Sequence, residues 1–261
     1  MSASPGRLVI ISGPSCVGKS PLRKALGRFH PELTARLTPL VLHNSRAPRP
    51  GEQSGVDYHF RTRAQVEALR AEPRYAVLDV RGDLQALDLE DLSGVLQGGD
   101  ALFEGNPFVG RLLQTHPALA GVRRLGIFIS PLSKEEIVFL RGEPQVSLPD
   151  LVRDVMRRKL LRRMRRQKGE PSLRDLEEVE RRAGSAYAEL SEAHHFDHVV
   201  PNHDGEDSEH WDAFYHPLGD ARSTLLAVAG LLRGETPAGV ERWDADLLPG
   251  PQGSGKGAGG T

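Results

Sequence analysis

The chain has 261 residues, of which 26% are charged and 38% hydrophobic, and its formal net charge is −1. These values are ordinary for a globular protein, and the near-zero charge argues against general binding to nucleic acid or anionic membranes. Cys16 is the single cysteine, which excludes an internal disulfide. Because no apolar run is long enough for a membrane span and the N-terminus has no signal-peptide core, we expect a cytoplasmic location.

The first predicted elements surround a phosphate-binding loop. Residues 13–20 fit the pattern G-x-x-x-x-G-K-[ST], with an apolar run before them that predicts a buried strand and helix formers after them. In this context backbone N–H groups, the helix N-terminus and Lys19 can bind the phosphates of ATP, and the Ser20 hydroxyl can bind Mg²⁺. We therefore assign ATP binding to the whole loop: Gly13, Pro14, Ser15, Cys16, Val17, Gly18, Lys19 and Ser20.

Strands and helices alternate along the rest of the chain. We predict further strands at 37–42, 75–80, 101–103, 125–129 and 198–200. We predict helices at 64–69, 88–96, 133–140, 147–169, 172–194 and 225–232. Capping boxes are predicted at three helix starts, Ser133, Ser147 and Ser172. This alternation predicts an α/β protein with a parallel sheet and right-handed crossovers, followed by a flexible Gly/Pro-rich tail over 234–261.

A second motif lies between residues 45 and 60. Arg46 and Arg49 are separated by a proline turn and form a cationic fork that suits a phosphate dianion. Tyr58 can add a phenol donor, and Glu52 can orient an arginine or touch a ribose or base. A solvated basic turn is the alternative interpretation of the two arginines.

The segment closely resembles the phosphate-acceptor motif of guanylate kinases, R-x-P-R-x-G-E-x-x-G-x-D-Y-x-F, at that family's distance from a Gly-Pro-Ser phosphate loop. Residues 181–190 and 196–202 are similar to the family's lid-exit helix and last strand. The resemblance covers about residues 7–203 and is broken by extra sequence around 141–170. It implies a P-loop nucleoside monophosphate kinase fold, with a parallel sheet core flanked by helices, an acceptor-binding insertion and a helical lid.

The resemblance also implies an organisation along the chain. Residues 1–233 would form one guanylate-kinase-like domain, and its parts would be core at 7–33, acceptor-binding region at about 34–98, core at 99–140, basic helical lid at about 141–182 and core at 183–233. The sequence leaves the oligomeric state open.

The implied reaction moves the γ-phosphoryl group of MgATP to a nucleoside monophosphate, either GMP or an altered acceptor. The resemblance assigns acceptor binding to Arg46, Arg49, Glu52, Tyr58 and Asn106. It assigns catalytic roles to Lys19, Arg182 and Arg166, the adenine side to Asn202, and Mg²⁺ binding to Ser20 and Glu104.

The base-recognition side departs from the family. Leu42 stands where guanylate kinases have a serine, Val77 stands near the place of a glutamate, and residues 85–88 replace a Tyr-Gly-Ser stretch. Asp79, Asp83 and Asp88 are the carboxylates that could rebuild a contact with guanine. Because a site built on hydrogen bonds can discriminate by about 10⁴-fold, such losses predict a changed or relaxed acceptor.

Two alternative functions remain open at this stage. The chain can be a catalytically silent guanylate-kinase-like module that binds a phosphorylated ligand or a protein, or it can be a kinase of a phosphorylated sugar. The basic helix between 153 and 168 has three possible interpretations: a lid, a surface that binds nucleic acid, or a solvent-exposed face. The histidines and aspartates between 194 and 210 match no zinc spacing.

Overall fold

The computed structural model describes residues 6–49 and 51–248. Its strands are β1 Leu8–Ser12, β2 Leu37–Pro39, β3 His43–Asn44, β4 His59–Phe60, β5 Tyr75–Val80, β6 Asp83–Asp88, β7 Asp100–Gly105, β8 Arg124–Ser130 and β9 His198–Pro201. Its α-helices are α1 Lys19–Phe29, α2 Pro31–Thr34, α3 Arg63–Ala68, α4 Leu89–Gly98, α5 Pro107–Thr115, α6 Lys134–Arg141, α7 Leu148–Lys168, α8 Leu173–Ser191 and α9 Gly219–Arg233.

Five parallel strands form the main sheet in the order β2-β7-β1-β8-β9. The central strand β1 is buried on both faces, because its apolar side chains alternate between two clusters. Val9 and Ile11 pack with α1 and α9, whereas Leu8 and Ile10 pack with α5 and α8 on the opposite face. This is the helix–sheet–helix layering that the alternation of elements predicts.

A smaller sheet lies in the region predicted to bind the acceptor. Its order is β4-β3-β6-β5, with β6 antiparallel to both β3 and β5. Helix α3 covers one face, since Val66 packs against Leu84 and Ala86. The opposite face is the one that points toward the phosphate-binding loop.

Several predicted details differ from the structure. Ser133 and Ser172 form capping boxes as predicted, but the Ser147 side chain makes no cap, and helix α7 starts there with Pro149 in its first turn. The sequence analysis missed β6 and α5, although Asn106 and Pro107 are a helix-start signal for α5. No helix among the described residues is long and apolar enough to cross a membrane.

The predicted flexible tail is wrong for residues 234–248. Glu241 forms an antiparallel bridge with Val199 at the edge of the main sheet. Trp243, Leu247 and Leu248 are buried in the core. Three apolar side chains are enough to hold this segment on the sheet even though it has no helical or strand periodicity. The rest of the predicted tail, 249–261, lies outside the described residues.

Candidate functional site

A polar cavity of about 300 Å³ lies between the main sheet, the small sheet and helices α7 and α8. Phosphate-loop residues line one side of it, and the arginine fork lines the other. Cationic side chains outnumber carboxylates along its wall, and they are Lys19, Arg23, Arg46, Arg49, Arg81, Arg163, Arg181 and Arg182. This arrangement suits a ligand that carries several negative charges.

The phosphate-binding loop follows β1 and ends at the N-terminus of α1. Gly13 and Gly18 have φ angles of 151° and 104°, and a Cβ atom there would meet Ile129 O at 2.3 Å and Asn202 Nδ2 at 2.5 Å. Both positions therefore require glycine. Cys16 also has a positive φ of 68°, and burial raises the pKa of its thiol. Gly13, Ser15, Cys16, Lys19 and Ser20 line the cavity.

The loop lysine is bent back onto its own loop. Lys19 Nζ donates to the carbonyl oxygens of Gly13 at 2.7 Å and Pro14 at 2.8 Å. Burial lowers the pKa of Lys19, and the carboxylates of Glu206 and Glu104 act against this shift. In this position the ammonium group lies at the centre of the loop, where a phosphate oxygen would compete for it.

The two predicted metal ligands are close together. The Ser20 hydroxyl donates to Glu104 Oε1 at 3.4 Å, and Arg23 Nε lies 2.9 Å from Glu104 Oε2. Burial raises the pKa of Glu104, and Arg23 and Lys19 act against this shift. One hydroxyl and one carboxylate suit Mg²⁺, which usually takes few protein ligands and completes its shell with phosphates and water.

The arginine fork has the form expected from the sequence. Arg46 makes two hydrogen bonds with Glu52, at 2.6 and 2.7 Å, and its guanidinium group stacks over Tyr58 and Phe60. The Glu52 carboxylate also accepts from the backbone N–H of Arg49 at 2.7 Å. Of the two roles considered for Glu52, orientation of an arginine is the one that this geometry supports.

Glu178 on α8 contacts both Arg49 of the fork and Arg182. Its carboxylate contacts Arg49 Nη2 at 3.3 Å and accepts from Arg182 Nε at 2.7 Å. Burial opposes its ionisation, but Arg182 and Arg181 outweigh burial and lower the pKa of Glu178 to about 2. Burial and the charges of Arg182 and Arg46 lower the pKa of Arg49 to about 10. Arg49 and Arg182 therefore share one carboxylate oxygen, Glu178 Oε1.

Arg81 is a cavity residue that was not predicted from the sequence. It lies in the β5–β6 turn with a φ of 56° and contacts both the phosphate-binding loop and α8. Its Nη2 donates to Ser15 Oγ at 3.0 Å, and its Nε donates to Glu189 Oε1 and to Ser185 Oγ at 2.9 Å. The basic turn Arg81-Gly82 was the available signal, but its partners lie far away in the sequence.

Asn106 lines the cavity near this cluster. Its Oδ1 caps helix α5 by accepting from the Phe108 N–H at 2.9 Å, and its Nδ2 donates to Glu189 Oε1 at 3.1 Å. Glu189 is fully buried. In this structure the side chain of Asn106 is thus engaged in positioning, and its predicted contact with the acceptor remains a prediction.

The prediction that Arg166 acts at the reaction centre is wrong for this structure. Arg166 is exposed and pairs with Glu209 at 2.9 Å, whereas Arg163 lines the cavity. The two residues lie three positions apart on α7, so they are offset by about 60° around the helix axis and about 4.5 Å along it. The basic helix was predicted correctly, but the sequence did not give its rotation.

Asn202 lies beneath the phosphate-binding loop and outside the cavity. Its amide group is fully buried and donates to Val17 O at 2.7 Å and Asp204 O at 2.8 Å. In this structure the amide supports the loop backbone, and the predicted place of Asn202 near the adenine remains a prediction.

Two side-chain amides face the cavity on the acceptor side. Asn44 and Gln85 are directly paired across β3 and β6, so both point to the same face of the small sheet. Asn44 Nδ2 has no partner among the described residues, and the Gln85 amide makes no hydrogen bond with any of them. Asn44 Oδ1 accepts from the Arg46 N–H at 3.1 Å, so the Nδ2 group of Asn44 and the amide of Gln85 are the parts available for a ligand.

The guanine-side positions of the resemblance are apolar or displaced. Leu42 is buried in the core, and Val77 packs under helix α3. Asp88 caps α4 and pairs with Arg74, while Asp79 is exposed and accepts from the Gly82 N–H. Of the three candidate carboxylates, Asp83 is the one that lines the cavity, 3.2 Å from Arg181 Nη1.

Comparisons with known proteins agree on one family. The family model described as guanylate kinase matches residues 5–78. The guanylate kinase of Synechococcus sp. (strain JA-3-3Ab) is 31% identical over 210 residues, which cover 77% of this chain and 77% of that protein. The guanylate kinase of Alkalilimnicola ehrlichii is 30% identical over 202 residues, which cover 77% of this chain and 82% of that protein.

A solved structure is similar along most of the chain. The crystal structure of guanylate kinase from Anaplasma phagocytophilum covers 88% of this chain and 86% of its own, with a TM-score of 0.52 and 18% sequence identity. At this identity the likeness supports the fold, and the predicted P-loop nucleoside monophosphate kinase architecture is confirmed.

Proposed function

The chain belongs to the guanylate kinase family of ATP-dependent nucleoside monophosphate kinases, and we propose that it transfers the γ-phosphoryl group of ATP to a nucleoside monophosphate in the cavity described above. One observation carries this proposal. Lys19, the Arg46–Arg49 fork and Arg182 line the same cavity. Two phosphate sites in one cavity can bring donor and acceptor into line, and phosphoryl transfer depends chiefly on such positioning and on charge neutralisation.

Different residues bind the donor and the acceptor phosphates in this mechanism. Loop N–H groups and Lys19 hold the donor phosphates, while Arg46, Arg49 and Tyr58 hold the acceptor phosphate. Arg182, which is 7% exposed, adds positive charge where the transferring group passes from the donor phosphates to the acceptor phosphate. Before the acceptor binds, Glu178 neutralises part of this charge, so its contacts with Arg49 and Arg182 must loosen on binding.

Magnesium fits the residues present. Ser20 and Glu104, whose side chains lie within 3.4 Å of each other, would hold the ion together with the donor phosphates. The ion would supply charge neutralisation on the phosphates. In this proposal the acceptor-binding region is 34–98 and the lid is 141–182.

The acceptor need not be GMP. Leu42 and Val77 place apolar side chains where the family reads guanine, and the amides of Asn44 and Gln85 and the carboxylate of Asp83 are the neighbouring polar groups of the cavity. Amides carry both donors and acceptors, so they suit a wider range of base edges than a carboxylate does. We therefore propose a nucleotide kinase with relaxed or changed base selectivity.

The test is an ADP-release screen with MgATP and a panel of acceptors: GMP, dGMP, AMP, UMP and a sugar phosphate. We expect one nucleoside monophosphate to support turnover and Lys19→Ala to lower that rate by about 10²- to 10³-fold. Lys24→Ala on the exposed side of α1 is the matched control and should keep the wild-type rate. A strong preference for GMP over dGMP, AMP and UMP would contradict the relaxed selectivity.

Two further outcomes separate the alternatives. A folded wild-type chain that releases no ADP with any acceptor would favour a silent binding module over an enzyme. Turnover with the sugar phosphate alone would favour a sugar phosphate kinase.

A further inference from the structure

Four basic residues of helix α7 contact a single loop. The loop comprises residues 203–209, follows β9, and is called the acidic loop here for its four carboxylates, Asp204, Glu206, Asp207 and Glu209. Four cationic side chains of α7 face it, and they are Lys159, Arg162, Arg163 and Arg166. These four lie within two turns of one helix, so they form one continuous contact.

The part of this contact around Asp207 is buried. Lys159 Nζ donates to His203 O at 2.5 Å and lies 3.8 Å from Asp207 Oδ1. Arg162 Nη1 lies 3.5 Å from Asp207 Oδ2. The Asp207 side chain is 5% exposed, and its Oδ1 has no hydrogen-bond partner among the described residues. A buried carboxylate of this kind depends on its cationic partners, because it has lost most of its hydration.

The part of this contact formed by Arg163 and Glu206 reaches the cavity. Arg163 Nη1 lies 3.4 Å from Glu206 Oε2, and both side chains line the cavity beside Cys16 and Lys19. Burial lowers the pKa of Lys19, and Glu206 is the carboxylate that opposes this shift most. Among the described residues, Arg163 is the α7 arginine that faces the phosphate-binding loop. The acidic loop positions it through Glu206.

The acidic loop is also fixed to the phosphate-binding loop. The Asn202 amide joins Val17 O to Asp204 O, and Trp211 Nε1 donates to Asp204 O at 2.8 Å. A Cβ atom on Gly205 would lie 2.2 Å from Cys16 O, so the two backbones touch. The acidic loop is therefore attached to the phosphate-binding loop through the contacts of Asn202 and Gly205, and it contacts α7 through its carboxylates.

We propose that the acidic loop positions helix α7 over the phosphate-binding loop, with Asp207 holding Lys159 and Arg162, and Glu206 holding Arg163 at the cavity. This inference rests on the proposed function. Glu206 and Asp207 are positioning residues in it, and Arg163 is the side chain that meets the donor phosphates.

The position of Glu206 has two opposite effects on a donor. Its negative charge lies in a cavity that must accept a polyphosphate, and like charges weaken donor binding. The same charge holds Arg163 in place for the transition state, where added negative charge develops on the transferring group. Removal of the Glu206 charge should therefore improve donor binding and impair turnover.

Glu206→Gln tests this pair of effects, because it removes the charge and keeps the size of the side chain. We expect kcat to fall about tenfold and the donor KM to fall about threefold, with the acceptor KM within about twofold of wild type. A merely structural role would lower kcat and raise the KM of both substrates. Glu32→Gln is the matched control, because Glu32 forms an exposed ion pair with Arg233 away from the cavity, and it should change each parameter by less than about twofold.

Hydrogen exchange of the ligand-free protein tests the loop without any activity measurement. Asp207→Asn should speed exchange of the α7 amides facing the loop by about tenfold, while the amides of α9 stay at the wild-type rate. Arg162→Gln should speed α7 exchange in the same direction, and this variant carries the test if Asp207→Asn does not fold, since the Arg162 side chain is 67% exposed.

Unchanged α7 exchange in the folded variants would overturn the proposal, as would a Glu206→Gln enzyme with a raised donor KM. If the wild-type chain produces no ADP with any acceptor, the proposed function fails. In that case the exchange measurement alone still decides whether the acidic loop holds α7.

Discussion

The Arg81–Glu189 pair connects the phosphate-binding loop, the small sheet and helix α8, and its removal should destabilise the protein strongly. Arg81 contacts Ser15, Ser185 and Glu189, while Glu189 also accepts from Asn106. The Arg81 side chain is 14% exposed and that of Glu189 is fully buried. Arg81→Met keeps the length of the side chain and leaves the Glu189 carboxylate without its cation.

The magnitude follows from the buried charge that remains. Loss of one partner of a buried ion pair costs about 3–5 kcal/mol, because the other charge stays in a medium of low dielectric constant. The serine and asparagine donors to Glu189 Oε1 compensate part of this, so we expect about 3 kcal/mol for Arg81→Met. The double variant Arg81→Met, Glu189→Gln removes both charges and should cost about 1–2 kcal/mol less than the single variant.

Urea denaturation of the single and double variants measures these free energies of unfolding. Arg153→Met is the matched control, since Arg153 pairs with Asp150 at the surface and its loss should cost below about 1 kcal/mol. The reasoning is refuted if Arg81→Met costs no more than the control, or if the double variant is less stable than the single one.

Three further predictions concern single side chains. Cys16 is buried, and burial raises the pKa of its thiol, so mass spectrometry should show alkylation far slower than for free cysteine. Burial disfavours the charged form of His203, but Asp220 and Glu136 outweigh it and raise its pKa. His203→Gln should therefore lower the melting temperature below about pH 6.5 and have no effect once the pH exceeds the folded pKa. Arg49→Lys should raise the acceptor KM about tenfold, because lysine cannot bind phosphate bidentately; an unchanged KM would refute the fork.

The phosphate-binding loop and the fork were predictable because each is local. Glycines at fixed spacing, a preceding apolar strand and a following helix are enough to define the loop around Lys19, and a proline turn brings Arg46 and Arg49 together. Pairing of both motifs also defined the family. Local patterns of this kind need no knowledge of how distant segments pack.

The remaining site residues depend on long-range geometry. Arg81 acts through Glu189, which is more than one hundred positions away, and no periodicity in either segment indicates the pair. Arg163 faces the cavity and Arg166 does not, because the rotation of α7 is set by the burial of Met156 and Leu160 against the core. The apolar positions of α7 were visible in the sequence, but the direction of the cavity was not.

The acceptor wall follows from the register of the small sheet rather than from composition. In β6, Leu84 and Ala86 pack against Val66 of α3, so Asp83 and Gln85 must point to the other face, which is the cavity. A slip of one residue would turn the carboxylate and the amide under α3 and present two apolar side chains to the acceptor. The alternation of residues 83–86 was the signal for this strand. The packing of Leu84 and Ala86 against Val66 of α3 therefore decides which polar groups of β6 face the cavity. If the proposed function holds, base selectivity depends on that packing as much as on the groups that touch the ligand.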